Sequence, residues 1–174
     1  MKRRLSCALL FLLLLVPRHA SAQGARLHLD HLNRLADKAK EVVDVNLDQS
    51  MLQQVSSIGG KQPDAKMQAV LQGLTGVYVK SFEFSSQGVY TDADVEAIRT
   101  QLKAPGWSRI VSVREKGEIT EIYTWNDGKT PGGLAILVAE PQELTVVNLV
   151  GQINMGQLGA LQGQLGLPLM PKTK

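Results

Sequence analysis

Two apolar runs stand out in the C-terminal half of this 174-residue chain, at residues 134–139 and 144–150. A polar turn at residues 140–143 separates them. Neither run alternates between apolar and polar positions, and a continuous pattern is typical of strands that are covered on both faces. The pattern therefore predicts a hairpin, over residues 132–151, at the centre of a sheet.

Apolar residues at helical spacing predict helices before and after the strands. The first is amphipathic and covers residues 29–41. Asp48 caps a second helix, and a third starts at Pro63. A fourth begins at Thr91, the first residue of a T-x-x-D capping signature. The last covers residues 153–166, where glycines and leucines occupy opposite sides, and we expect the leucine side to dock on the sheet.

Shorter β-rich segments predict further strands at residues 43–47, 77–84, 107–115 and 118–125. The resulting element order is α-β-α-α-β-α-β-β-β-β-α. Short turns join the last four strands and predict an antiparallel meander, whereas the helical connections before them predict parallel or mixed pairing. We therefore predict a single α+β domain with a mixed, mostly antiparallel sheet and helices packed mainly on one face.

The first 22 residues have the three parts of a secretory signal peptide. Residues 2–4 are basic, an apolar run follows at residues 7–16, and an A-x-A cleavage pattern ends at Ala22. The run is shorter than the ~20 residues of a membrane span, which disfavours the alternative of an uncleaved anchor. We expect cleavage after Ala22, export to the periplasm or the extracellular space, one domain at residues 23–166 and a mobile tail at 167–174.

Removing the signal peptide changes the charge of the protein. Four of the 19 basic residues and none of the 16 acidic residues lie within residues 1–22, so the expected mature chain carries 15 basic and 16 acidic residues. A net charge of −1 gives no support for nucleic acid as a partner. The only cysteine, Cys7, also leaves, which excludes a disulfide or a thiol nucleophile from the mature chain. No later apolar run is long enough to span a membrane.

His28, Asp30 and His31 form the best candidate metal site in the sequence. Two histidines three residues apart on a helix can point the same way, with a carboxylate beside them. However, Asp30 is also a natural helix N-cap, and no other histidine follows the signal peptide. We favour the capping interpretation and predict no cofactor. The alternative is a small hydrolase or metal-dependent enzyme that uses these residues together with carboxylates at strand ends.

An aromatic and cationic patch is the second candidate site. Facing residues of paired strands come within reach of one another, so Trp107, Arg109, Tyr123 and Trp125 are expected to share a surface. Such a patch can bind a partner, and it can equally complete a small core, which is the interpretation we favour. Asn148 lies inside an apolar strand and needs hydrogen-bond partners if it is buried. We expect it to pin a neighbouring segment, with ligand binding as a secondary role.

Catalytic signatures are missing from the sequence. Residues 128–130 read Gly-Lys-Thr, like the end of a P-loop, but Tyr123 stands where that motif needs its first glycine. No G-x-S-x-G or H-E-x-x-H pattern is present. These absences favour a protein that binds rather than catalyses.

Five stretches of the chain resemble a known bacterial family. They read LDHL at residues 29–32, GVYVKSFEF at 76–84, DVEAIR at 94–99, APGWSRIV at 104–111 and EPQELTVVNLVG at 140–151. Together they resemble the family catalogued as domain of unknown function 4252 (DUF4252), whose members look like exported, single-domain envelope proteins. The resemblance implies no activity and no catalytic residue.

These observations favour a non-enzymatic, exported binding or interaction module of the bacterial envelope, whose partner is another envelope protein. Besides the enzyme, a third hypothesis is a membrane-surface binder that uses the predicted helix at residues 29–41. The oligomeric state is left open by the sequence.

Overall fold

The computed structural model describes residues 22–58, 68, 71–128 and 131–153. Its described strands form one open sheet. In chain order they are β1 (Glu41–Asp48), β2 (Leu74–Glu83), β3 (Trp107–Glu115), β4 (Glu118–Asn126), β5 (Pro131–Glu140) and β6 (Glu143–Gly151). The helices are a 3-10 turn at Ala22–Ala25, a 3-10 helix at Asp30–Lys38, α1 at Gln49–Ile58 and α2 at Asp92–Leu102.

The predicted first helix at residues 29–41 is a 3-10 helix that ends earlier, at Lys38. Its buried leucines explain the difference. Leu29, Leu32 and Leu35 repeat every three residues and are all buried. A 3-10 helix has 3.0 residues per turn, so this spacing keeps the three side chains in one line against the core.

The strand order in the sheet is β1-β2-β6-β5-β4-β3, and every neighbouring pair is antiparallel. The predicted parallel or mixed pairing of the early strands is therefore wrong. α2 carries the chain from β2 to β3, which run in the same direction, and strands of the same direction need a crossover connection of this kind. These two strands are not neighbours, because β6, β5 and β4 lie between them.

The core has two layers, one on each face of the sheet. On the first, which we call the α2 face, the 3-10 helix and α2 cover strand residues such as Phe82, Leu137 and Val146. On the second, the α1 face, Leu52 of α1 packs with residues such as Ile136. β5 and β6 hold the two central positions and are buried along almost their whole length, as their continuous apolar runs predict.

The fold class agrees with the prediction only in broad outline. The structure is mostly β with some helix, which fits α+β loosely. The predicted signal peptide, most of the third helix, nearly all of the last helix and the tail lie outside the described residues. Within the described ranges, every helix is too short or too polar to cross a membrane.

Candidate binding site

A short N-terminal segment, residues 24–30, lies against the α2 face. Ala25, Leu27 and Leu29 are buried, whereas Arg26 and His28 between them are exposed. This alternation puts one side of the segment into the core and leaves the other side polar. The segment therefore covers part of the sheet and adds polar groups above it.

Asn148 of β6 holds this segment in place. Its side chain is fully buried, and its Oδ1 accepts a hydrogen bond of 2.9 Å from the Leu27 amide. Its Nδ2 donates to the Ala25 carbonyl at 2.9 Å and to the Leu134 carbonyl at 3.3 Å. These bonds confirm that Asn148 pins a neighbouring segment. They occupy both ends of its amide, so its predicted secondary role as a ligand-binding group stays a prediction.

A polar groove of about 230 Å³ lies between the N-terminal segment and strands β1 and β2. The exposed polar residues of the segment, together with Asn33 of the 3-10 helix, form one wall. The strands contribute the other wall, which includes Asp44, Asn46, Tyr78 and Lys80. All four strand residues point to the α2 face, because they occupy paired, alternate positions of β1 and β2.

The two cationic side chains of the groove, Arg26 and Lys80, each contact another side chain that lines it. The guanidinium carbon of Arg26 lies 4.4 Å from the centroid of the Tyr78 ring, a cation–π contact. The Nζ of Lys80 lies 2.5 Å from Oδ2 of Asp44, and only 12% of the Lys80 side chain is exposed. The groove therefore presents positive, negative and aromatic groups in a fixed arrangement, which suits a partner that carries both polar and charged groups.

A second groove, of about 320 Å³, lies between α1 and the start of β2. Glutamine and leucine side chains line it, so among the described residues it lacks the charged groups that line the first groove. We therefore take the first groove as the candidate site.

A buried ion cluster joins α2 to the sheet beside the predicted aromatic patch. Glu121 of β4 is 2% exposed. Arg99 of α2 donates to it from Nε at 3.0 Å and from Nη2 at 3.2 Å. Arg109 of β3 donates at 3.2 Å and the Tyr123 hydroxyl at 3.0 Å. Each carboxylate oxygen of Glu121 thus accepts two hydrogen bonds. This arrangement suits a residue that holds α2 on the sheet rather than a general base.

The same cluster shifts two pKa values. Hydrogen bonds to Glu121 raise the pKa of the Arg99 guanidinium. Burial, followed by the hydrogen bond to Glu121, raises the pKa of the Tyr123 hydroxyl above its ordinary value. Glu121 lies inside β4 and is buried, so it is not one of the carboxylates at strand ends that the enzyme alternative requires.

The two tryptophans pair across β3 and β4, where Trp107 lies opposite Trp125. Trp125 is 8% exposed and packs with Ala25 and Val150. A methyl group at Gly106, whose φ is +96°, would lie 2.5 Å from the Trp125 Nε1. The glycine at this position therefore lets the loop before β3 close over the indole.

The predicted patch residues share one face, but they have different roles there. Arg109 and Tyr123 meet at Glu121, Trp107 and Trp125 belong to the same apolar cluster, and Asn148 holds the N-terminal segment. Whether any of them binds a partner stays a prediction.

The predicted metal residues lie at the groove or close to it. His28 and Asp30 line it, and the His28 amide and carbonyl bond to the side chain of Gln101 at 2.7 and 2.9 Å. His31 is half-buried, and its Nε2 is a buried atom that makes no hydrogen bond. In the part of the chain that the structure describes, no three His, Cys, Asp or Glu residues are grouped to hold a metal ion.

Four residues that line the groove were not predicted as site residues from the sequence: Arg26, Asp44, Tyr78 and Lys80. A signal for the strand wall existed, because alternation within β2 places Tyr78 and Lys80 on one face. Nothing in the sequence indicated that residues 24–30 would lie above them, since that contact depends on the tertiary fold.

One family model matches the chain, over residues 36–161, and its description is "Domain of unknown function (DUF4252)". The chain belongs to the DUF4252 family. This confirms the resemblance, although residues 29–32 lie before the match. The strand wall of the groove lies within the DUF4252 region, and the N-terminal wall precedes it. Neither a curated protein nor a solved structure matches the chain significantly.

Proposed function

We propose that this DUF4252 protein is an exported, non-enzymatic interaction module of the bacterial envelope, and that it binds a partner protein at the groove under residues 24–30. The groove is the observation that carries the proposal. The features of a signal peptide in residues 1–22 support export, and the absence of a catalytic signature in the sequence supports binding.

The size of the groove favours a protein partner over a small metabolite. Pockets for small molecules typically enclose ~300–1,000 Å³. The groove, at about 230 Å³, is smaller and has room for one or two side chains of a partner. Its charged and aromatic groups suit polar side chains that carry both signs of charge.

The hydrolase or metal-dependent enzyme remains the alternative hypothesis. It uses His28, Asp30 and His31 with carboxylates at strand ends. No specific contact in the described residues favours it, because Glu121, the buried carboxylate nearest to the predicted patch, is saturated by two arginines and a tyrosine.

An exchange of charges within the groove tests the proposal. The double substitution Asp44→Lys with Lys80→Asp keeps an ion pair and inverts both charges. A matched control exchanges Lys40 and Glu83, which form a second ion pair. Lys40 directly precedes β1, Glu83 ends β2, and the Lys40 Nζ lies 2.7 Å from the Glu83 Oε1. Affinity purification from envelope fractions should recover the same partner with the wild type and the control, and lose it with the groove variant.

Both variants are first checked for folding by thermal unfolding, because Lys80 is largely buried. Recovery of the same partner by the folded groove variant would contradict binding at the groove. Recovery of no specific protein by the wild type would contradict the function.

A further inference from the structure

The two edge strands of the sheet complement each other. Among the described strands, β1 and β3 each pair with one neighbour, so within this part of the chain each has one unpaired edge. Three of the four exposed large hydrophobic residues among the described residues lie on these two strands: Val42, Val43 and Ile110, each at least 42% exposed. Exposed edges of this kind are templates for pairing with another strand.

Charges on the α2 face of the edges are opposite. β1 carries Asp44 and Asp48 on this face, and β3 carries Arg109 and Arg114. On the α1 face the middle of each edge is apolar, with Val45 and Leu47 on β1 and Val111 and Val113 on β3, whereas Glu41 and Glu115 stand at the strand ends. In the middle of the strands, each face of one edge thus matches the same face of the other.

The directions of the two edge strands also allow them to pair between copies. Successive antiparallel pairs across the sheet make β1 and β3 run in opposite directions. If a second copy is placed beside the first without being turned over, its β1 lies antiparallel to β3 of the first copy. The α2 faces of the two copies are then on the same side.

We propose that copies of this protein associate head to tail, with β1 of one copy pairing with β3 of the next to continue the sheet. One register satisfies both faces. It places Asp44 opposite Arg114 and Val45 opposite Val113. Leu47 then lies opposite Val111, and the β3 bulge at Ile110 brings Arg109 opposite Asp48.

Symmetric pairing is disfavoured by the same charges. Two β1 edges centred on Asn46 would bring Asp44 of one copy opposite Asp48 of the other, and two β3 edges centred on Ser112 would bring Arg114 opposite Arg109. Like charges that lie directly opposite destabilise a sheet. Charged residues also protect edges from pairing, but protection does not require opposite signs at matching positions. The pairing is heterologous, so it builds a chain of copies rather than a closed dimer.

Disulfide trapping tests this register, because the chain has no cysteine after Cys7. In a Cys7→Ser background, one preparation carries Val45→Cys and another carries Val113→Cys. Opposed strand residues have Cα atoms ~4.5–5.5 Å apart, which is within disulfide range. Mild oxidation of the mixture should give a disulfide-linked mixed dimer, whereas each variant alone should give little disulfide-linked dimer.

Val43→Cys mixed with Val113→Cys is the matched control, two residues out of register. Val43 is more exposed than Val45, so random collision favours the control, and the proposal predicts at least several-fold less mixed dimer from it. Equal yields from both mixtures would overturn the register. Sedimentation of the wild type provides a second measurement: it should show association that grows with protein concentration and weakens with salt. A monomer at every concentration would overturn the proposal, whether or not the groove binds a partner.

Discussion

Asn148 shows what the sequence reveals at the scale of one residue. A polar side chain in the middle of an apolar strand must find partners, and that need is visible in the sequence. The identity of the partners is not, because Leu27 lies 121 residues away along the chain. The same holds for Glu121: its place on a strand is visible, but its burial between two arginines depends on where α2 packs.

Replacing Asn148 tests its role in holding the N-terminal segment. Asn148→Leu should lower the free energy of unfolding by ~2–4 kcal/mol, because it leaves the Leu27 amide and the Ala25 carbonyl buried without partners. Urea unfolding measures this loss. Hydrogen exchange at the Leu27 amide should also become faster.

The control for this prediction is Asn46→Leu, the same change on an exposed position of β1. It should alter the unfolding free energy by no more than ~0.5 kcal/mol. Equal effects of the two substitutions would mean that the Asn148 hydrogen bonds do not hold the segment.

At the scale of elements, α2 is the part that the sequence predicts best. The T-x-x-D signature at Thr91 correctly marks its start: the Thr91 amide donates to Asp94 at 2.8 Å and the Thr91 hydroxyl at 2.9 Å. Arg34 of the 3-10 helix also donates to Asp94, and this contact has no local signature. The 3-10 helix itself was predicted as an α-helix, because a spacing of three residues fits part of either pattern.

The capping carboxylate should make stability depend on pH. Burial acts to raise the pKa of Asp94, but hydrogen bonds from Thr91 and Arg34 outweigh it and hold the pKa below its ordinary value of 3.8. Asp94→Asn should therefore cost ~1–2 kcal/mol of unfolding free energy at pH 7. This contribution is present above the ordinary pKa and disappears as the pH falls through the lowered pKa.

Unfolding curves of wild type and Asp94→Asn across the acid range measure this effect. Asp92→Asn, an exposed acid in the same first turn, is the control and should show a smaller loss. A difference between wild type and Asp94→Asn that persists unchanged at the most acidic pH would contradict an ionised Asp94 as the cause.

At the scale of the whole molecule, the central hairpin and the family were predictable, and the strand pairing was only partly so. The continuous apolar runs of β5 and β6 indicate burial on both faces wherever these strands lie. The neighbours of β2 could not be inferred in the same way. One helix connects β2 to β3, which is the next strand along the chain. The sheet neighbour of β2 is instead β6, about 70 residues later, and a contact of such long range has no local signal in the sequence.

The groove is also a product of the whole molecule. Residues 24–30 form one wall, β1 and β2 form the other, and the hydrogen bonds of Asn148 in β6 set the position of the first wall. The sequence supplied the polar residues of each wall separately. Only the assembled fold brings them to one place, where we propose that a partner protein binds.

Photo-crosslinking in living cells tests this claim most directly. A photoreactive amino acid at Asn33, an exposed residue of the groove wall, should give a discrete adduct with another envelope protein. The same amino acid at Gln87, which is exposed in the loop between β2 and α2, should not give that adduct. Both positions lie off the two edge strands, so association between copies does not mimic the result. An adduct at Asn33 alone is the result that we predict; no adduct at Asn33, or the same adduct at both positions, would contradict a binding site in the groove.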